Sequence, residues 1–137
     1  APSGKILLAG QLDRFFTEGK KTFSDADSFK FDYSPFYTSS RSVISNLKRI
    51  AEDYDTIIYC LANPNSLQVL ESLRNSETNI IVFSVLTPVY LNNLDWIKNA
   101  LAVYGISRES FQAGFSVLSG RITPQGVLPI KIKKENN

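Results

Sequence analysis

Catalysis near neutral pH ordinarily draws on histidine, paired carboxylates, thiolates or metal ligands, and this chain is sparing with all of them. It contains no histidine, so it cannot build a Ser-His or Cys-His pair or a His-ligated metal site from its own residues. Its one cysteine, Cys60, sits inside the apolar run Thr56-Ile57-Ile58-Tyr59-Cys60-Leu61 and reads as a small core residue rather than a nucleophile. Carboxylates remain. Glycoside hydrolysis needs two of them about 5 to 9.5 Å apart, and the candidates at loop ends are Asp13, Asp32, Asp25 and Asp27. Each also reads as a cap or a surface residue. Asp53 and Asp55 precede a strand, at the wrong end of a parallel sheet for chemistry. Ser66, Ser72 and Ser76 read as helix surface rather than a strained nucleophile turn.

The elements that must position these groups alternate along the chain. Near-continuous apolar runs mark strands at Lys5 to Ala9, Thr56 to Leu61, Asn79 to Leu86 and Ala100 to Tyr104. Ser28 to Tyr33 is a further strand, with Phe29, Phe31 and Tyr33 on one face. Helical spacing marks Leu12 to Glu18, closed by Gly19, and a helix capped by Ser39 or Ser40 that runs to about Tyr54. Another starts at Asn65 or Ser66 and turns Leu67, Leu70 and Leu73 inward. Thr87-Pro88 opens a helix with proline in its first turn. Ser107 caps the last, with Phe111, Phe115 and Leu118 on its inner face. The fold class is therefore α/β: a three-layer α/β/α sandwich with a mostly parallel sheet of about six strands.

Ligands in such sheets bind beyond the carboxyl ends of the strands. The side chains there that could border a cleft are Gln11, Asp13, Asn63, Asn65 and Thr87. The loops carry no glycine-rich cradle: Gly10 stands alone, so neither a dinucleotide fingerprint nor a phosphate loop is present, and no cofactor is implied. The paired acids and the lysine of a response-regulator receiver are also missing from the corresponding strand ends. The aromatic cluster Phe29, Phe31, Tyr33, Phe36 and Tyr37 reads as core plus a packed loop, or as a docking face for another domain.

Composition bounds the rest. A length of 137 residues fits one domain. A net charge of +2, scattered along the chain, argues against nucleic acid as a partner. No apolar stretch approaches the roughly 18 residues of a membrane span. The chain starts at Ala1 and contains no methionine, which reads as a mature or excised piece of a longer protein.

The last quarter, Gly120-Arg121-Ile122-Thr123-Pro124-Gln125-Gly126-Val127-Leu128-Pro129-Ile130, reads as a left-handed helix stop at Gly120, a turn, and an edge strand made unattractive to further pairing by Pro129, Lys131 and Lys133. This string is similar to the closing Gly-x-x-x-Pro-x-Gly-x-Leu-Pro of the C-terminal α/β domain of family 3 glycoside hydrolases. Tyr54 to Tyr59 leading into Ala62-Asn63-Pro64, and Asn79 to Leu91, add to the resemblance, which spans about Lys5 to Ile132 and is nearest to the bacterial β-N-acetylhexosaminidase branch. The resemblance implies a non-catalytic accessory domain. In that family the nucleophilic aspartate lies on an N-terminal (β/α)8 barrel that this chain lacks. The acid/base is a histidine on a barrel loop in one branch and a glutamate on a longer loop of the α/β domain in another. Leu61-Ala62-Asn63-Pro64-Asn65-Ser66 contains no acid, so no catalytic residue carries over. The implied partner is the barrel, with carbohydrate near the strand-end loops. A free-standing flavodoxin-like ligand or signalling module is the alternative.

Overall fold

The computed structural model describes residues 4–33, 37–85, 94–103 and 105–121. The chain runs β1 (Ile6–Gly10), α1 (Asp13–Thr22), β2 (Asp27–Lys30), α2 (Tyr37–Ala51), β3 (Thr56–Leu61), α3 (Pro64–Glu71), β4 (Asn79–Ser84), β5 (Asn99–Ala102) and α4 (Arg108–Arg121). The described strands form one five-stranded sheet in the order β2-β1-β3-β4-β5, and every neighbouring pair is parallel.

Alternation of side chains across the strands divides the core into two layers. Leu8, Ile58, Cys60, Ile81 and Phe83 face Phe15 of α1 and Phe111, Phe115 and Leu118 of α4. Leu7, Ala9, Ile57, Tyr59, Leu61, Ile80 and Val82 face Leu47 and Ala51 of α2, Val69 and Leu70 of α3, and Leu73 just beyond it. This is the expected α/β/α sandwich. β1 and β3 are buried along their whole length, as central parallel strands must be when helices cover both faces. Cys60 is fully buried in the first layer, and burial pushes its thiol well above the usual range, which leaves it protonated and inert.

The strand expected at Leu128 to Ile132, the helix opened by Thr87-Pro88, and Thr87 itself lie outside the described residues. Within them, two glycines expected as helix stops are not stops. Gly19 lies inside α1, which continues to Thr22. A Cβ there would come within 2.8 Å of a Leu8 methyl and 2.9 Å of the Phe115 ring, so the residue permits close approach of α1 to the sheet and to α4. Gly120 lies inside α4 and has no positive φ. A left-handed cap does not form there. Ser39 and Ser40 likewise fall within α2, which begins at Tyr37. The second strand ends at Lys30, short of Tyr33, whose side chain is 59% exposed.

Candidate functional site

A sheet ordered 2-1-3-4-5 reverses direction between its first and third strands, and the crevice outside their carboxyl ends is where such folds take ligands. Here β1 ends at Gly10 and β3 at Leu61. The residues that follow carry Gln11 and Asn63, two of the side chains singled out above.

The structure joins them. The Asn63 side-chain amide donates to Gln11 Oε1 at 2.8 Å, and Gln11 Nε2 donates to Asn65 Oδ1 at 2.7 Å. Gln11 Nε2 also reaches the Asp32 carbonyl, at the long limit of 3.5 Å. Three of the expected cleft residues, Gln11, Asn63 and Asn65, are therefore brought together. Asp13 is not joined to them. It opens α1, is strongly exposed, and lies 3.5 Å from Lys30 Nζ. An exposed ion pair of this kind contributes little to stability.

Local chemistry explains why α3 begins where it does. Asn63 is the N-cap, with Pro64 in the first helical turn, a position where the missing N–H costs nothing. Asn63 Oδ1 accepts from the Ser66 backbone N–H at 2.8 Å. In return, Ser66 Oγ accepts from the backbone N–H of Asn63 at 3.0 Å and of Ala62 at 2.9 Å. It donates to the Asn63 carbonyl at 2.8 Å. This is a reciprocal capping box. The helix start expected at Asn65 or Ser66 is thus corrected to a cap at Asn63. Ser66 is also corrected: it is fully buried rather than on the helix surface. Its own carbonyl accepts from Tyr59 OH at 2.6 Å, and burial pushes that phenol well above its usual pKa. The spacing Asn63-x-x-Ser66 was the available signal for Ser66.

The arrangement has a chemical consequence. Free N–H groups at a helix start can hold phosphate, but in α3 the Ser66 N–H is taken by Asn63 and the Leu67 N–H by the Asn63 carbonyl. Pro64 has none. The rim offers neutral amides, able to donate and accept at once, in place of an anion cradle. Among the described residues no group of three or more His, Cys, Asp or Glu side chains is placed to hold a metal ion. No described helix is long and apolar enough to cross a membrane.

Fold and rim together define a parallel α/β sandwich of flavodoxin-like strand order with an amide-closed switch point. Among known proteins, no family model matches the chain and no curated protein does. Solved structures do match in shape. The sugar isomerase domain of the RpiR transcription factor from Sphaerobacter thermophilus superposes with a TM-score of 0.53 at 12% identity, covering 89% of this chain and 71% of that one. At that identity the likeness establishes the fold alone.

Proposed function

We propose that the chain is a non-catalytic accessory domain of a family 3 glycoside hydrolase, of the β-N-acetylglucosaminidase or β-glucosidase kind, which packs on a (β/α)8 barrel and borders its substrate cleft. The observation that carries this reading is the rim at the switch point. Its polar groups are uncharged amides engaged with one another and with the cap of α3. Such a surface suits contact with neutral hydroxyl-bearing ligands or a polar protein face, and it brings no acid or base to bear on a bond. The closing string Gly120 to Pro129 and the absence of histidine agree with it. The test is an assay of the chain alone on aryl N-acetylglucosaminides and aryl glucosides. Turnover at the buffer rate is expected, with activity appearing only together with a barrel protein encoded upstream in the same reading frame. Turnover by the isolated chain would overturn the reading.

The strand order β2-β1-β3-β4-β5 favours a second reading, a free-standing small-ligand or signalling module. A yellow colour, or a rise in melting temperature with nucleotide or phosphate, would support it. The engaged donors at the start of α3 weigh against an anionic ligand there.

A further inference from the structure

We infer that Gln11 is a positioning residue that locks the loops after β1 and β3 into one preset surface, with a weaker hold on the exit of β2. The inference goes beyond the hydrolase reading and does not depend on it. The direction of every bond in the network follows from one fixed donor. A backbone N–H can only donate, so the Ser66 N–H fixes which end of the Asn63 amide is oxygen. The Asn63 nitrogen must then face Gln11 Oε1. The Gln11 nitrogen is thereby left to face Asn65 Oδ1 and the Asp32 carbonyl. Position 11 thus needs an acceptor and a donor on one planar group, which glutamine supplies and glutamate does not when ionised. Asn65 is buried while Gln11 and Asn63 are half-buried, so solvent replaces these bonds only in part. The exit of β2 has a second tie, because the Phe31 N–H donates to the Gly10 carbonyl at 3.1 Å.

The experiment uses the full chain labelled with ¹⁵N and the isosteric variant Gln11→Glu. At pH 7 a carboxylate oxygen would face Asn65 Oδ1, and both are acceptors. Amide exchange at Asn65, Ser66 and Leu67 should rise roughly tenfold, with their resonances displaced and smaller changes at Asp32 and Tyr33. Acidification through the glutamate pKa, ordinarily about 4.3, restores an O–H donor and should return those resonances towards the wild-type positions. Asp32, whose carbonyl Gln11 reaches, and the Asp13–Lys30 pair are charged groups on the segments that meet Gln11. Wild-type protein titrated in parallel removes their contribution. Gln11→Met, of similar length but without donor or acceptor, should show the same regional loosening with no recovery in acid. Resonances of Thr78 to Ile80, at the opposite end of the sheet, report that each variant is folded. Changes confined to positions 10–13, or a Glu variant whose displaced resonances do not return in acid, would overturn the inference and assign Gln11 a packing role.

Discussion

At the switch point, on the carboxyl side of the sheet, three neutral amide side chains are turned on one another, whereas the amino end gathers charged side chains around an open cavity. Gln11, Asn63 and Asn65 close the switch point through amide contacts of 2.7 and 2.8 Å. The amino end instead opens into a cavity of about 680 Å³ lined by Lys48, Glu52, Asp55 and Glu77, with Ser72, Ser76 and Thr78 between them. Cavity size and architectural position therefore disagree about where function lies. Position is the better guide. The strand ends that face a ligand in a parallel sheet are the carboxyl ends, and the cavity collects exposed side chains between the last turn of α2 and the segment entering β4. The lesson is that, among the described residues, a parallel sheet can be tied together across its switch point by amide contacts and carry an open, charged cavity at the other end.

The sharpest way to break this contrast is at Ser66. Its hydroxyl serves two backbone N–H groups and one carbonyl in a buried position, so Ser66→Ala strands donors that water reaches poorly. A loss of about 2–3 kcal/mol is expected, read as a lower urea midpoint with an unchanged slope. A loss below about 0.5 kcal/mol would show that the cap is not what holds the rim closed. The amino-end counterpart is Thr78, whose hydroxyl donates to the Ala51 carbonyl at the end of α2 at 2.8 Å. Thr78→Val keeps the shape and removes one half-buried bond, so about 1 kcal/mol is expected in the same measurement. If Thr78→Val cost as much as Ser66→Ala, the two ends would be equally closed and the comparison would fail.

These sites also show what the chain discloses in advance. Central strands were legible because burial on both faces writes itself as an uninterrupted apolar run; Thr56 to Leu61 is the case in point, expected and found with the same bounds. The inner face of α4 was legible from the spacing of Phe111, Phe115 and Leu118, all buried. Gly19 was misread because its reason is tertiary: Leu8 and Phe115 arrive from elsewhere in the chain, and only Gly leaves them room. Among the described residues nothing lies within 4 Å of a Cβ placed at Gly120, so its place inside α4 has no packing account there. At the candidate site, Gln11, Asn63 and Asn65 were found by their position after strands. Their mutual bonding was not, since Gln11 and Asn63 are brought together only by the pairing of β1 with β3.

The smallest expected effect is a pH dependence at the amino end. Tyr54 OH donates to Asp27 Oδ2 at 2.6 Å, tying the start of β2 to the residues before β3. Lys5 Nζ lies 5.1 Å from the Tyr54 ring centre. The bond to Asp27, followed by partial burial and by the charges of Asp27 and Asp53, raises the phenol from 10.0 to about 12. The folded state therefore holds this proton more tightly than the unfolded chain does. Its contribution is fully present below pH 10 and is lost as pH climbs towards 12. Tyr59 and Cys60 are also raised, chiefly by burial, so wild-type stability falls with alkali for more than one reason, and only the difference between proteins isolates Tyr54. Tyr54→Phe should be slightly less stable than wild type at pH 8, and the gap should shrink between pH 10 and 12 as the wild type loses its proton. Chemical denaturation at pH 8, 10 and 11.5 reads it directly. A gap that stays constant across that range would mean that the Tyr54–Asp27 bond does not hold the amino end together in solution.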